Sequence, residues 1–143
     1  MSVRQVLSGK GADVITIAPD RTLAQAAMLL AEKRIGAVVV SADGKAVSGI
    51  LSERDIIRAL AQDGAGALDR KVADAMTRDV VTCSIQADID HLMRLMTDGK
   101  FRHVPVVENG ALVGIVSIGD VVNRRLSDIE AEQRALKDYI ASA

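Results

Sequence analysis

Aromatic side chains are almost missing from this chain of 143 residues: Phe101 and Tyr139 are the whole complement, and there is no tryptophan. A surface so poor in rings has no stacking platform for single-stranded nucleic acid. A net charge of −1 gives no basic field to hold a phosphate backbone, so nucleic-acid binding is not expected. Cysteine is nearly absent too. Cys83 stands alone, which excludes an internal disulfide and fits a reducing compartment. No stretch has the length and apolarity of a membrane span. The opening MSVRQVLSGKGADV has no continuous apolar region of the kind a secretory signal needs. The expectation is a soluble, cytoplasmic globular protein without membrane or nucleic-acid partners.

Chemistry-bearing motifs are also lacking. The Gly-rich stretches GKGAD and GAGAL do not have the spacing of a phosphate-binding loop or a dinucleotide fingerprint. His91, His103 and Cys83 have no metal-ligand spacing. His91 reads as a surface residue and Cys83 as a small packed one. No serine or cysteine has a general base placed beside it by motif, so an enzyme is not indicated and no catalytic cofactor is expected.

What the chain has is apolar residues, 49% of the total, nearly all aliphatic. A chain near this size buries about 70% of the surface its unfolded form exposes, so it can build a real core. The chain is also written twice. Val14-Ile15-Thr16 and Val80-Val81-Thr82 are short β-branched runs 66 residues apart, each read as a strand. Leu23, Ala26, Ala27 and Leu30 follow helical spacing, and 66 residues on stand Ile89, Leu92, Met93 and Met96. Thr22 with Gln25 makes a capping box for the first of these helices, and Asp88 caps the second. Each helix leads into a hairpin. Ala37–Val40 and Val47–Leu51 flank Asp43-Gly44, while His103–Val107 and Ala111–Val116 flank Asn109-Gly110. Beyond the hairpins the offset is 65, one residue having been lost in the turn. Even the lead-ins repeat: Val3, Val6 and Leu7 match Val72, Ala75 and Met76.

Each half therefore reads β-α-β-β-α. Residues 61–71, with Gly64 and Gly66, form a flexible linker. The division is 1–65 for the first unit with its lead-in, 72–126 for the second, and 127–143 for a helical tail. A half of about sixty residues is marginal alone. The expected class is α/β (α+β): two such units packed sheet to sheet over one common core, plus a C-terminal helix.

Both halves enter their last helix through Ser-x-x-Asp, at Ser52 and Asp55 and at Ser117 and Asp120. As local structure this is a capping box, in which hydroxyl and carboxylate satisfy amide donors of the first helical turn. The same groups beside a helix N-terminus suit a ribose and an anion. Both readings stand at this level, and they can coexist.

The tandem units, with GILSERD at 49–55 and RHVPVVENGALVGIVSIGD at 102–120, resemble a pair of cystathionine-β-synthase-type (CBS) domains, a Bateman module. The resemblance covers roughly Val3 to Leu126. It implies adenine-nucleotide binding in clefts between paired sheets and a disk-shaped homodimer of modules. It also implies that the Ser and Asp contact the ribose, with Ser117 and Asp120 the first choice and Ser52 and Asp55 the second. Arg102 and His103 match positions near phosphate. Thr16 and Thr82 match positions near base or ribose, although each is equally a strand end. Val104 and Ile118 border an adenine or belong to the core. Pro105 marks an irregular strand whose free backbone groups would meet the base. In the first copy Ile35, Gly36 and Ala37 stand where Arg102 and its neighbours stand in the second, and carry no charge; Arg54 is a candidate to supply it. One well-formed site and one weaker site are expected.

The function so implied is a sensor that binds AMP or a related ligand (ADP, ATP, NAD(H) or S-adenosylmethionine) and passes its occupancy to an unidentified partner protein. The alternative is a ligand-free interaction module in which both motifs are caps. In the tail, Val122, Leu126, Ile129, Leu136 and Ile140 recur at heptad-like spacing, which reads as a dimer or partner helix, or as a cover for its own domain.

Overall fold

The computed structural model describes residues 1–10 and 14–142; the Gly-rich turn expected at GKGAD falls largely on residues 11–13, outside the described ones. A lead-in helix α1 (Val3–Lys10) is followed by β1 (Thr16–Ile17), α2 (Leu23–Lys33), β2 (Ala37–Val40), β3 (Gly49–Ser52) and α3 (Glu53–Asp63). The second half runs α4 (Val72–Ala75), α5 (Ile89–Gly99), β4 (His103–Glu108), β5 (Ala111–Ser117) and α6 (Ile118–Ser142). In the first sheet β1 lies parallel to β2, and β2 antiparallel to β3. In the second, β4 and β5 form an antiparallel pair. The fold is the expected mixed α/β class of two small sheets with their helices and a C-terminal helix.

The helix starts follow the sequence. Thr22 Oγ1 accepts the Gln25 amide at 3.2 Å while the Gln25 side chain accepts the Thr22 amide at 3.0 Å, closing the capping box of α2. Asp88 caps α5 through the amide of Asp90 at 3.2 Å. Asn109 (φ 52°) and Gly110 (φ 78°) make the left-handed turn that a two-residue hairpin requires, and Glu108 pairs directly with Ala111.

Four expectations need correction. Asp43-Gly44 does not make a tight hairpin. The Asp43 carboxylate accepts the amides of Lys45 (2.8 Å) and Ala46 (2.9 Å), which holds an eight-residue loop between β2 and β3. The first strand of the first unit is Thr16–Ile17 rather than Val14–Thr16. Val80–Thr82 is not a strand at all, and only Cys83 bridges Val106. The cause is Pro105. The Cys83 amide reaches the Pro105 carbonyl (3.1 Å) and the Val107 amide reaches the Cys83 carbonyl (2.9 Å). The next rung of a parallel ladder would need an N–H on residue 105, and proline has none. Val39 holds that place in the first unit, where β1 forms. Residues 61–71 are no flexible linker either: α3 runs to Asp63 and a 3-10 turn spans Gly64–Asp69, burying Ala67.

Among the described residues the buried side chains form two clusters, not one shared core, and the lead-ins are crossed between them. Val72 packs with Leu23, Leu51 and Ile56 of the first unit, whereas Val3 and Val6 pack with Ile89, Leu92 and Val104 of the second. Backbone bonds repeat the exchange. The Leu23 amide reaches the Arg70 carbonyl (2.9 Å), and the Ile89 amide reaches the Met1 carbonyl (3.0 Å). Small residues permit the approach. A Cβ on Gly49 would lie 2.6 Å from Met76 Sδ and 2.8 Å from the Thr77 carbonyl, and one on Gly114 would lie 2.9 Å from the Leu7 methyls. Each lead-in thus bolts one half to the other.

Candidate functional site

Between the two halves lies a cleft of about 820 Å³. One wall is the α3 entrance, Ser52 to Asp55, with Gly36, Ala37 and Ile50 of the first sheet; the other is the run Gly99 to His103 leading into β4. Thr77 and Asp79 to Val81 close one side, and Ile57 and Arg58 of α3 complete the lining. The irregular path of residues 79–81, released from the sheet by Pro105, is what brings Val80 and Val81 to the cleft.

The α3 wall is held by its cap. Asp55 Oδ2 accepts the Ser52 amide (2.9 Å) and the Ser52 hydroxyl (3.1 Å), and Ser52 Oγ accepts the Asp55 amide (3.3 Å). Asp55 is 8% exposed, and its Oδ1 lies 3.7 Å from the exposed Arg58 guanidinium. The Glu53 amide bonds the Gly36 carbonyl at 3.0 Å, which seats the helix start against the β2 entrance. Across the gap, a Cβ on Gly36 would come 3.5 Å from the His103 ring, so the two strand entrances face each other closely. Arg54, Arg58, Lys100 and Arg102 line the cleft against Glu53, Asp55 and Asp79, with His103 beside them. The charge absent from Ile35, Gly36 and Ala37 is brought to this cleft from the second half, alongside Arg54.

The residues singled out from the sequence are thus divided. Gly36, Ala37, Ser52, Arg54, Asp55, Arg102 and His103 share the cleft. Ser117 and Asp120 form the matching cap at the start of α6: the Ser117 amide reaches Asp120 Oδ2 (2.9 Å) and the Asp120 amide reaches Ser117 Oγ (3.1 Å). Asp120 opens on a smaller hollow of about 330 Å³, with Gln5, Val6 and Gly9 of α1 and Asn123, Arg124 and Ser127 of α6. Arg102 touches both regions, since its carbonyl accepts the Ile118 amide at 2.8 Å. Val104 and Pro105 are buried in β4, Thr16 sits in β1 opposite Val39, and Thr82 is exposed outside the cleft.

Lining residues that sequence reasoning misses include Glu53, Thr77, Asp79, Lys100 and Phe101. Lys100 and Phe101 stand directly before Arg102, and the left-handed Lys100 (φ 57°) repeats Arg34 (φ 55°) at the end of the equivalent helix. The 66-residue offset carries that pairing. Asp79 is hidden by the strand expected next to it. Among the described residues no group of three His, Cys, Asp or Glu side chains is arranged to hold a metal, and no helix is long and apolar enough to cross a membrane.

The CBS domain model matches residues 3–62 and again 72–127. The CBS-domain containing protein ATU1752 from Agrobacterium tumefaciens is 51% identical in sequence; the likeness covers 87% of this chain and 99% of that one, with a TM-score of 0.84. The CBS domain pair of protein MJ0100, solved in complex with 5′-methylthioadenosine and S-adenosyl-L-methionine, is 27% identical over 86% of this chain and 98% of its own, with a TM-score of 0.76. The CBS domain protein PAE2072 from Pyrobaculum aerophilum, complexed with AMP, is 29% identical over 84% and 89%, with a TM-score of 0.73. Two matched units, each closing on a Ser-x-x-Asp cap and joined by exchanged lead-ins, establish that this chain belongs to the CBS-domain family as a tandem pair.

Proposed function

We propose that this chain is a regulatory module, not an enzyme, that binds an adenine nucleotide in the cleft between its halves. The observation that carries the reading is the cleft itself, where a carboxylate cap at the α3 N-terminus faces Lys100, Arg102 and His103 from the other half. The Asp55 carboxylate and Ser52 hydroxyl take the ribose, and the basic residues opposite take the phosphate. Ile50, Ile57, Val80 and Val81 give the base an apolar wall. Adenosine-bearing ligands in the related MJ0100 and PAE2072 structures support the class. AMP is the preferred ligand because the cleft offers charge for a phosphate. ADP, ATP, NADH and S-adenosylmethionine share the adenosine part. Asp120 and its cap partner Ser117 belong to a second, α6-side position, whose hollow is smaller; Thr16, Thr82, Val104, Pro105 and Ile118 line neither this hollow nor the large cleft.

The cleft's two walls come from different halves, so a ligand that spans them binds one relative placement of the halves more tightly than another. Its occupancy then shifts that equilibrium by its differential affinity. A cytoplasmic partner protein, or the association of two modules as a homodimer, reads the shift. No catalytic cofactor, nucleic acid or membrane enters this scheme.

The test is a thermal-shift titration with AMP, ADP, ATP, NADH and S-adenosylmethionine on the native chain and on Asp55→Asn and Asp120→Ala. Saturable stabilisation is expected, because a ligand that binds only the folded state raises apparent stability by mass action. The readout is the ligand-induced shift, since both aspartates also cap helices and their loss lowers the baseline. A shift abolished by Asp55→Asn and kept by Asp120→Ala places the ligand in the large cleft. No shift with any ligand supports the other reading, a ligand-free interaction module. That reading has an observation of its own in the mutually satisfied Ser-Asp caps.

A further inference from the structure

Helix α6 runs on to Ser142, well past residue 127 where the CBS match ends. Its first turns lie against its own body: Val121 is fully buried, and Asp120, Asn123, Arg124 and Ser127 turn toward α1. From Glu130 onward every described residue is exposed. A helix of this length with no tertiary support is marginal in water, so an uncovered extension needs something to pack on.

The side turned away from the body carries a stripe. Val122, Leu126, Ile129, Leu136 and Ile140 are all exposed, Leu126 by 53%, Leu136 by 59% and Ile140 by 65%. With Gln133 they alternate at spacings of four and three, so that Leu126, Gln133 and Ile140 occupy a positions and Val122, Ile129 and Leu136 occupy d positions of a heptad. The flanks have complementary charge. In a parallel pair, each g residue faces the e residue five further on in the partner. Arg125 then meets Glu130, and Glu132 meets Lys137, each contact occurring twice by symmetry. Gln133 favours the parallel alignment as well. Against another Gln133 its amide finds a matching donor and acceptor. In an antiparallel alignment of the same stripe it would stand against Ile129 with none.

We propose that α6 pairs in parallel with the α6 of a second copy of this chain, through this stripe, with Gln133 setting the register. The surface lies away from the nucleotide cleft, so the proposal stands independently of the ligand reading. It brings two modules side by side, with their C-terminal helices as the shared spine.

Three measurements on the full chain test it. Sedimentation equilibrium of the native protein should give twice the chain mass, and Leu136→Glu with Ile140→Glu should shift it to the monomer; both positions are exposed, so folding is not at stake. In a Cys83→Ser background, Gln133→Cys should form a disulfide-linked dimer under mild oxidation, which an antiparallel pair would not. Glu132→Lys and Lys137→Glu should each weaken association several-fold, and the two together should restore it. An antiparallel pair sets Arg125 against Glu132 and Glu130 against Lys137, so there the double exchange would be worse than either single one. A monomeric native chain, absence of the cross-link, a dimer indifferent to the Leu136 and Ile140 changes, or failure of the double exchange to restore association would each overturn the proposal.

Discussion

Gly49 and Gly114 hold the same place in the two hairpins, yet substitutions there should differ in cost. At Gly49 an added Cβ meets Met76 Sδ at 2.6 Å and also the Thr77 carbonyl at 2.8 Å, a backbone atom fixed by its reciprocal bonds to Ile50. At Gly114 the nearest atoms all belong to the Leu7 side chain, its methyls at 2.9 Å, and a side chain can turn aside where a backbone carbonyl cannot. Overpacking a filled site costs about 1–3 kcal/mol. Gly49→Ala should fall in the upper part of that range and Gly114→Ala below it, as read from urea denaturation midpoints; equal losses would contradict the difference in what each Cβ meets. Cys83 offers a second residue-level expectation. Burial, with the Glu108 carboxylate adding to it, pushes its thiol from 9.0 up to about 11. The thiolate fraction at pH 8 is then about a hundredfold below that of an ordinary cysteine, and alkylation by iodoacetamide should be slow in the native chain and much faster in urea. The raised value also links to stability. Between pH 9 and 11 the unfolded chain releases this proton while the folded chain keeps it. Cys83 therefore contributes stability below about pH 9 that is lost as the pH rises through that window. A native alkylation rate matching the rate in urea would refute the assignment.

At the scale of elements, the sequence was most legible where a local rule decides the outcome. The Thr22 box, the Asp88 cap and the Asn109-Gly110 turn all stand where residue chemistry put them, because each needs only neighbours within three positions. Asp43-Gly44 carries the same kind of turn signal and fails, since the aspartate commits its carboxylate to Lys45 and Ala46. Its acid is held below the ordinary carboxylate range by those two amides, the Ala46 bond first. The Val80–Thr82 run shows the opposite limit. Its β-branched residues satisfy strand propensity, but a strand needs a partner with donors, and Pro105 removes one from 24 positions away. The cleft was half legible for the same reason. Ser52 and Asp55 are marked by a local motif, while their meeting with Lys100, Arg102 and His103 depends on how two halves are set against each other. The motif itself has a structural role that can be measured without ligand. Ser52→Ala and Ser117→Ala should each lower stability by about 1 kcal/mol in nucleotide-free protein, through loss of the Asp55 and Asp120 amide partners. Loss of the same size at both positions, read by thermal denaturation, is expected even if only one cleft binds a ligand. No loss at either would mean that the caps contribute nothing.

The repeat in the sequence supplies two copies of one unit, and exchange of their lead-ins makes the whole molecule from them. A helix that packed on its own unit would leave two marginal halves joined by a string. Crossing places Val3 and Val6 in the second core and Val72 in the first, so neither core is complete without residues contributed by the other end of the chain. This arrangement also fixes the cleft, because the segment after α4 carries Thr77 and Asp79 directly from the first unit's sheet into the lining. A reciprocal consequence can be read by hydrogen exchange. Val3 and Val72 are both fully buried, and trimming either to alanine removes two methyl groups and leaves a cavity, at a cost of about 2 kcal/mol. If each lead-in serves the half it packs on, Val3→Ala should speed amide exchange in α5, β4 and β5 while β2 and β3 keep their protection. Val72→Ala should do the reverse, exposing β2, β3 and α2 first. Exchange that rose in the half nearer in sequence, with Val3→Ala loosening β2 and β3, would mean that the lead-ins are not exchanged in solution. Exchange that rose equally everywhere would mean that the two cores open together as one cooperative unit. The crossed pattern alone would show that the bolts between the halves are also what each half is built around.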